Sequence, residues 1–193
     1  MDILKLIKNR ETIRKYKKKP ILKKIIDKII EAGRWSSSVH GFQPWKFIVI
    51  SNKPTIKKIS NILYRKSQKI GAGGNIILHS SADTISNAKI VIVVYSLSTV
   101  AKLVIRFKRF YVKFAKHAEL SAISAAIQNM ILTAESLGIG SCWLDTPLFC
   151  EEEINKLFNT KDKLTAILTL GYPAEEGRRA PRKPFSETVK YVM

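Results

Sequence analysis

The amino-acid sequence predicts an α+β fold. Segments with apolar residues at helical spacing are mixed with short, wholly apolar runs that are typical of buried strands. These elements do not follow the regular strand–helix–strand order of a doubly wound parallel sheet. With 193 residues the chain can bury a substantial core, and we expect one domain over residues 1–173 followed by an extended arm over residues 174–193.

The first half of the chain contains two predicted helices and one predicted strand. Residues 21–32 carry apolar side chains at helical spacing after Pro20, with lysines and acids opposite, which predicts an amphipathic helix. Residues 47–50 predict a short buried strand, and Pro54 is typical of the first turn of a second helix. The glycine-rich residues 71–75 predict a flexible loop. They are not the dinucleotide-binding glycine motif, because position 76 is Ile and no strand leads into them.

The second half contains the remaining strands and the longest helices. Residues 89–95 give the clearest strand pattern, and its apolar character predicts a central position in the sheet. The helix predicted over 118–137 ends at Gly138 and is rich in small side chains, so it can approach a neighbour closely, and a second subunit is one candidate. The other predicted elements are a helix over 100–116, a strand over 141–144, a helix over 151–158 and a strand over 164–170.

The composition limits the classes of function. A formal net charge of +19 suits nucleic acid, an anionic membrane, or an anionic cofactor or substrate, and the even scatter of lysines does not choose between them. The longest apolar runs are too short to span a bilayer, and the N-terminal residues lack the apolar segment of a secretory signal. We therefore expect a cytoplasmic protein without a membrane partner.

Familiar motifs of metal binding and covalent catalysis are absent from the sequence. The three histidines, His40, His79 and His117, lie far apart and match no zinc-binding pattern. No serine lies in a nucleophile elbow, and Cys142 and Cys150 lie in no nucleophile or metal-binding motif. We expect no metal site and two reduced, inert thiols.

Two arginines near the N-terminus are candidates for a phosphate site. Arg10 and Arg14 are four residues apart with Thr12 between them, so on a helical turn their guanidinium groups would lie on one face. Guanidinium groups bind phosphate through paired hydrogen bonds. The alternative is a solvated basic stretch that leads into a helix.

Two further basic segments have alternative interpretations. In the tail, prolines stiffen residues 178–184 and would fix the directions of Arg182 and Lys183, although a solvated chain end is the simpler interpretation. A stripe of basic residues at helical spacing would suit nucleic acid or an anionic surface, whereas a solvated helix face needs no partner. The stripe consists of Lys102, Arg106, Arg109, Lys113 and Lys116, opposite Leu103, Val104, Phe107, Phe110 and Phe114. It supports an alternative function as a basic, non-catalytic binding protein.

Five groups of residues along the chain form a recognisable pattern when they are taken together. They are RETIR at 10–14, AGRW at 32–35 with QPWKF at 43–47, AIQN at 126–129 with LGIGSCW at 137–143, LGYP at 170–173, and PRKP at 181–184. Each is weak alone. Their common order over nearly the whole chain resembles the FMN-dependent nitroreductase family.

The resemblance implies a mixed, mainly antiparallel sheet flanked by helices, in an intertwined homodimer whose C-terminal arms wrap the partner subunit. It implies FMN bound at two sites in the dimer interface. Arg10, Thr12 and Arg14 of one subunit would hold the phosphate, the ribityl chain and the pyrimidine edge of the flavin. Arg182 and Lys183 would add charge at the phosphate. The other implied contacts are Glu11, then Pro147, Leu148 and Phe149 beside the isoalloxazine ring, and Ser37, Ser38, His40, Gly41 and Gln43 from the other subunit.

The resemblance also implies the reaction. NADH or NADPH would deliver hydride to flavin N5 and leave, and a nitroaromatic compound, a quinone or a related small-molecule acceptor would then take its place, without a protein acid or base. A backbone N–H at Leu148 or Phe149 would bond to N5. Similar proteins that dehalogenate substrates or break down flavins offer a different chemistry with the same cofactor. The resemblance to this family therefore predicts no nucleic-acid partner.

One loop departs from the family pattern. The family usually has Ala-Pro-Ser followed by an asparagine, whereas this chain has Ser36, Ser37 and Ser38 and then His40-Gly41. Loss of the asparagine removes a side-chain hydrogen bond to the flavin or the substrate, and the two alternatives are that His40 replaces it or that the pocket has a different shape. If the substrate of this protein differs from those usual in the family, this dipeptide is the first place to look for the cause.

Overall fold

Four antiparallel strands form the centre of the molecule in a computed structural model. The structure describes residues 2–104, 109–177 and 179–193, and at 72–74, 103–104 and 109–110 it describes the backbone alone. The strands are β1 (Trp45–Ile50), β2 (Ile90–Ser96), β3 (Gly140–Leu144) and β4 (Lys163–Gly171), in the spatial order β1-β2-β4-β3. All three pairings between them are antiparallel. The predicted α+β class and the mainly antiparallel sheet are confirmed.

Strand β2 is central, as its apolar sequence predicts. All seven of its residues are buried, and it pairs with β1 on one side and β4 on the other. Alternate residues enter two separate cores, with Val91, Val93 and Tyr95 in one and the isoleucines 90 and 92 with Val94 in the other. A strand that is buried on both faces has no polar face, which explains the continuous apolar run.

Helices cover both faces of the sheet. Helices α2 (Lys23–Arg34) and α6 (Arg109–Ser136) pack on one face, while α3 (Lys53–Ser67), α4 (Ala72–Asn87) and α7 (Glu151–Phe158) pack on the other. The remaining helices are α1 (Ile3–Asn9), α5 (Thr99–Val104) and α8 (Phe185–Thr188), with single 3₁₀ turns at Val39–Gly41 and Thr146–Cys150. In the described part of the chain no helix is both long and apolar enough to cross a membrane.

Two local predictions are wrong, and one helix was not predicted. Residues 72–75 are not a loop but the first turn of α4. Leu78, Ala82 and Ile85 further along the helix are buried in the core, and this packing outweighs the low helix propensity of glycine. The helix predicted over 118–137 is instead the C-terminal part of α6, since nothing in the preceding turns interrupts the backbone hydrogen bonds from residue 109 onward. Helix α1 was not predicted, and Asp2 caps it through a hydrogen bond from the Leu4 N–H.

The basic stripe is only partly visible in the fold. Arg106 and Phe107 lie outside the described residues, as do the side chains of Arg109 and Phe110. Lys113 and Lys116 are exposed on α6, and the Lys102 ammonium donates to the Leu97 carbonyl at 2.8 Å. The prediction that the stripe binds nucleic acid or an anionic surface stays a prediction.

A buried tyrosine attaches the N-terminal segment to the sheet. The Tyr16 hydroxyl donates to the Ile13 carbonyl at 2.6 Å and shares a hydrogen bond with the Thr169 hydroxyl on β4 at 2.7 Å. Burial raises the pKa of Tyr16, so it remains a neutral phenol that can make both bonds. Backbone bonds from Ile13 N–H to the Ser141 carbonyl (2.9 Å) and from Lys17 N–H to the Tyr172 carbonyl (2.8 Å) complete the attachment.

Tyr16→Phe should lower the free energy of unfolding by about 1–3 kcal/mol, because it leaves the buried Ile13 carbonyl without its hydroxyl donor. Urea unfolding measures the change. The matched control is Tyr64→Phe at a partly exposed tyrosine, which should stay within about 0.5 kcal/mol of the parent. Equal effects of the two substitutions would show that the Tyr16 hydroxyl does not hold the segment.

Candidate active site

The N-terminal arginines project from an extended segment, not from a helical turn. The helical-turn prediction for residues 10–14 is wrong, because Thr12 forms a parallel bridge with Ser141 at the outer edge of β3. Side chains of an extended chain alternate between two sides. Arg10, Thr12 and Arg14 line one cavity, while Ile13 between them is buried in the core.

That cavity has a volume of about 400 Å³ and a positively charged lining. Three arginines, Arg10, Arg14 and Arg182, line it, and no carboxylate is among the lining residues. The Arg10 Nη1 lies 3.5 Å from the Thr12 hydroxyl, so the two groups are adjacent. The remaining lining residues are Ile7, Gln128, Ile131, Ser141 and Trp143.

The C-terminal arm brings Arg182 to the cavity. Arg179 donates from Nε to Glu11 Oε1 at 2.7 Å, and the arm passes so close to Glu11 that a Cβ at Gly177 would collide with its side chain. Glu11 therefore faces away from the cavity and anchors the arm. Lys183, the other predicted phosphate contact, is exposed and does not line the cavity.

A second cavity of about 480 Å³ adjoins the first and shares Thr12 and Arg14 with it. Its far wall is a polar face of α4, and Glu175 closes it by accepting the N–H groups of Arg14 (2.7 Å) and Lys15 (3.0 Å). The α4 residues are Ser80, Asp83, Thr84 and Asn87, at the i, i+3, i+4 and i+7 spacing of one helix face. Sequence reasoning missed them because α4 was not predicted, although the polar spacing was present in the sequence.

The loop with the unusual His40-Gly41 dipeptide lies elsewhere on the same chain. His40, Gly41 and Gln43 adopt positive φ angles of 47°, 70° and 45°, a conformation that costs energy for residues other than glycine. Ser38 stabilises the loop by accepting the Gln43 N–H at 3.1 Å. Neither arginine-lined cavity includes any of the predicted loop contacts Ser37, Ser38, His40, Gly41 and Gln43.

The predicted ring-side segment forms a 3₁₀ turn held by three hydrogen bonds. The Thr146 hydroxyl donates to Ser81 at 2.7 Å, and the Trp143 indole donates to Asp145 at 2.6 Å. The Leu148 N–H donates to the Asp145 carbonyl at 3.0 Å, so this N–H already has an acceptor. Pro147 is buried, whereas Leu148 and Phe149 expose their side chains.

Neither cysteine lines the two arginine-lined cavities. Burial raises the pKa of the Cys142 thiol to about 11 and the pKa of the Cys150 thiol to about 11, so both remain protonated at neutral pH. Among the residues that the structure describes, no three histidine, cysteine or acidic side chains cluster in a way that could hold a metal ion.

Neither thiol of the folded protein should react with a chromogenic disulfide reagent at about pH 8, because a thiol with a pKa near 11 is almost wholly protonated there. Both should react after unfolding in guanidinium chloride. The measurement is thiol release against time with and without denaturant. Rapid reaction in the folded state would contradict the burial of the cysteines.

The fold and the site define an α+β protein with a guanidinium-lined cleft along one edge of an antiparallel sheet. The sequence model of the Nitroreductase family matches residues 7–172, so the chain belongs to the nitroreductase family. This confirms the family expected from the sequence motifs.

Individual proteins agree with this placement. Over 91% of its length the chain is 31% identical to a Methanothermobacter thermautotrophicus protein, 79% of which is covered and whose proposed assignment is NADH dehydrogenase/NAD(P)H nitroreductase. A BluB-like flavoprotein from Clostridium difficile 630 superposes with a TM-score of 0.82 at 23% identity, with both chains fully covered. A proposed nitroreductase from Desulfovibrio desulfuricans, solved in complex with FMN, has a TM-score of 0.75 at 22% identity and covers 100% of this chain and 98% of its own.

Proposed function

We propose that the protein is an FMN-dependent oxidoreductase that uses NADH or NADPH as electron donor. The carrying observation is the cavity that Arg10, Arg14 and Arg182 line together with Thr12, with no carboxylate among its lining residues. The FMN-bound structural neighbour and the NAD(P)H nitroreductase assignment of the relative support the proposal.

The residues fit the chemical groups of FMN. A phosphate dianion needs cationic hydrogen-bond donors, and the three guanidinium groups supply more than enough positive charge. Thr12 and Arg14 connect this cavity to the second one, whose α4 face offers hydroxyl, amide and carboxylate groups. FMN is a long ligand with a phosphate at one end and a polar heterocyclic edge at the other. The phosphate would lie in the first cavity and the polar edge in the second.

Each residue then has a defined task. Arg10 and Arg182 bind the phosphate, Thr12 binds the chain next to it, and Arg14 at the junction of the cavities binds the polar edge of the ring. Bound FMN would supply the redox chemistry, accepting hydride from the nicotinamide and reducing a nitroaromatic compound, a quinone or a related acceptor. Because the Leu148 N–H is already bonded to Asp145, Leu148 would offer the ring its exposed side chain instead.

The second part of the proposal is a homodimer whose partner completes each site. The loop residues Ser37, Ser38, His40, Gly41 and Gln43 line neither arginine-lined cavity of their own chain, and we propose that they serve the partner's site. Trp35 just before them is 81% exposed. Its indole N–H donates to Glu31 at 2.7 Å, which holds the ring in one orientation and would prepare it to contact the partner subunit.

Exposed apolar side chains support the dimer. A soluble monomer rarely exposes so many large apolar groups on neighbouring elements. They lie on α1, on the first half of α6 and on the arm, and include Ile3, Leu4, Phe114, Phe185, Tyr191 and Val192. We propose that a second copy covers them and that the arm from 174 to 193 wraps the partner.

Arg10→Ala and Arg182→Ala should each weaken FMN binding by roughly 10- to 100-fold, because each substitution removes one charge-assisted hydrogen bond to the phosphate. Riboflavin, which lacks the phosphate, should bind the parent and both variants alike. The matched control Arg65→Ala, at an exposed arginine outside the site, should bind FMN like the parent. Flavin fluorescence quenching measures all the affinities.

The visible spectrum tests the cofactor itself. We expect a yellow protein whose flavin absorbance bleaches when NADH or NADPH is added without oxygen. A colourless protein that takes up no added FMN would overturn the proposed function. Parental FMN affinity in both arginine variants would overturn only the phosphate assignment.

Mixed dimers test whether one site draws on two chains. Arg10→Ala and Gln43→Ala homodimers should each lose most NAD(P)H oxidation at limiting FMN. In a mixed dimer one site receives both substitutions and the other receives neither, so refolding the two variants together should restore about a quarter of the parental activity when subunits pair at random. The absence of any recovery in dimers shown by mass to be mixed would contradict shared sites.

A further inference from the structure

A third cavity, apart from the two arginine-lined ones, opens between α6, the first residues of β4 and the turn Thr146–Cys150. Its volume is about 530 Å³, within the range of roughly 300–1,000 Å³ that is usual for small-molecule sites. It shares no lining residue with either arginine-lined cavity. Its lining includes Leu148, which the proposed function places beside the flavin ring, so FMN occupancy is held constant in the test below.

Four aliphatic side chains form the walls. Ile123 and Leu164 are buried at the base, while Leu120 and Leu148 stay 53% and 42% exposed at the opening. Apolar surface of this kind favours the apolar body of a ligand, because contact removes it from water.

Both carboxylates of the lining already have partners. Glu119 is only 3% exposed and accepts the N–H groups of Val100 (2.7 Å) and Ala101 (3.2 Å) and the Ser96 hydroxyl (3.0 Å). Glu151 accepts the Lys163 ammonium and the Leu164 N–H. These groups build the cavity but leave no acid free to bind a cation.

Lys116 differs from the other charged groups of the lining. Across residues 2–104, 109–177 and 179–193, no carboxylate lies within ion-pair distance of its ammonium and no acceptor within hydrogen-bond distance. An ammonium beside an apolar cavity attracts a negatively charged group on a ligand that fills the cavity.

We propose that this cavity binds a small amphipathic organic anion, an aromatic or branched aliphatic carboxylate, with the carboxylate on Lys116 and the apolar body between Leu120, Leu148 and Leu164. The apolar walls select the body, and the single uncommitted ammonium selects the charge. The phosphate chemistry of the guanidinium cavity is different, since this lining offers no second free cation for a dianion.

Naphthoate and its uncharged analogue naphthamide test the site by calorimetric titration of the FMN-saturated protein. We expect saturable binding of naphthoate and at least about tenfold weaker binding of naphthamide. Lys116→Met should weaken naphthoate about tenfold and leave naphthamide unchanged. The matched control is Lys113→Met, an exposed lysine one turn away on α6 that does not line the cavity, which should bind naphthoate like the parent.

A second pair of variants tests the apolar walls. Leu120→Asn should weaken both ligands, whereas Leu22→Asn, at a similarly exposed leucine on another element, should weaken neither. No saturable naphthoate binding, equal affinity for naphthamide, or parental affinity in Lys116→Met would each overturn the proposal. Because FMN binding is measured in the same samples, failure here is distinct from failure of the flavin site.

Discussion

The attachment of the N-terminal segment to the edge of β3 is the contact on which the candidate site depends. The bridge between Thr12 and Ser141 keeps residues 10–14 extended, and this conformation sends both N-terminal arginines to the same side. Close approach is possible because Gly140 and Gly171 have no side chains. A Cβ on them would come within 2.8 Å of Ile13 and 2.5 Å of Tyr16. The sheet edge, the tyrosine anchor and the cationic cavity are thus parts of one arrangement.

The same segment organises the other end of the chain. Glu11 faces away from the cavity and pairs with Arg179, and this ion pair holds the arm where Arg182 can join the cavity. Alternation along five extended residues therefore places the arginines on one side, where we propose that they bind phosphate, and the anchoring Glu11 on the other. Arg10, Arg14 and Arg182 carry like charges around one cavity, and an anion bound there would relieve their mutual repulsion.

Much of the fold could be predicted because apolar periodicity reports burial directly. The central strand, the strand after Gln43-Pro44, the helix that starts near Pro54 and the left-handed Gly138 after α6 all lie where the sequence places them. Helix α4 could not be predicted, since its first turn is rich in glycine and only packing of Leu78 and Ile85 against the sheet stabilises it. With it, the polar wall of the second cavity was also missed.

The sequence by itself determined the fold class, the family and the identity of the cationic residues, because these depend on local pattern and on residue type. The tertiary structure decided how those residues are used. Arg10 and Arg14 share a side through strand alternation and not through a helical turn, and Arg182 joins them through the Glu11 ion pair across a separation of 168 residues. The structure also showed that Lys116 lies beside an apolar cavity. Such contacts depend on which surfaces pack together, and no local window of the sequence contains that information.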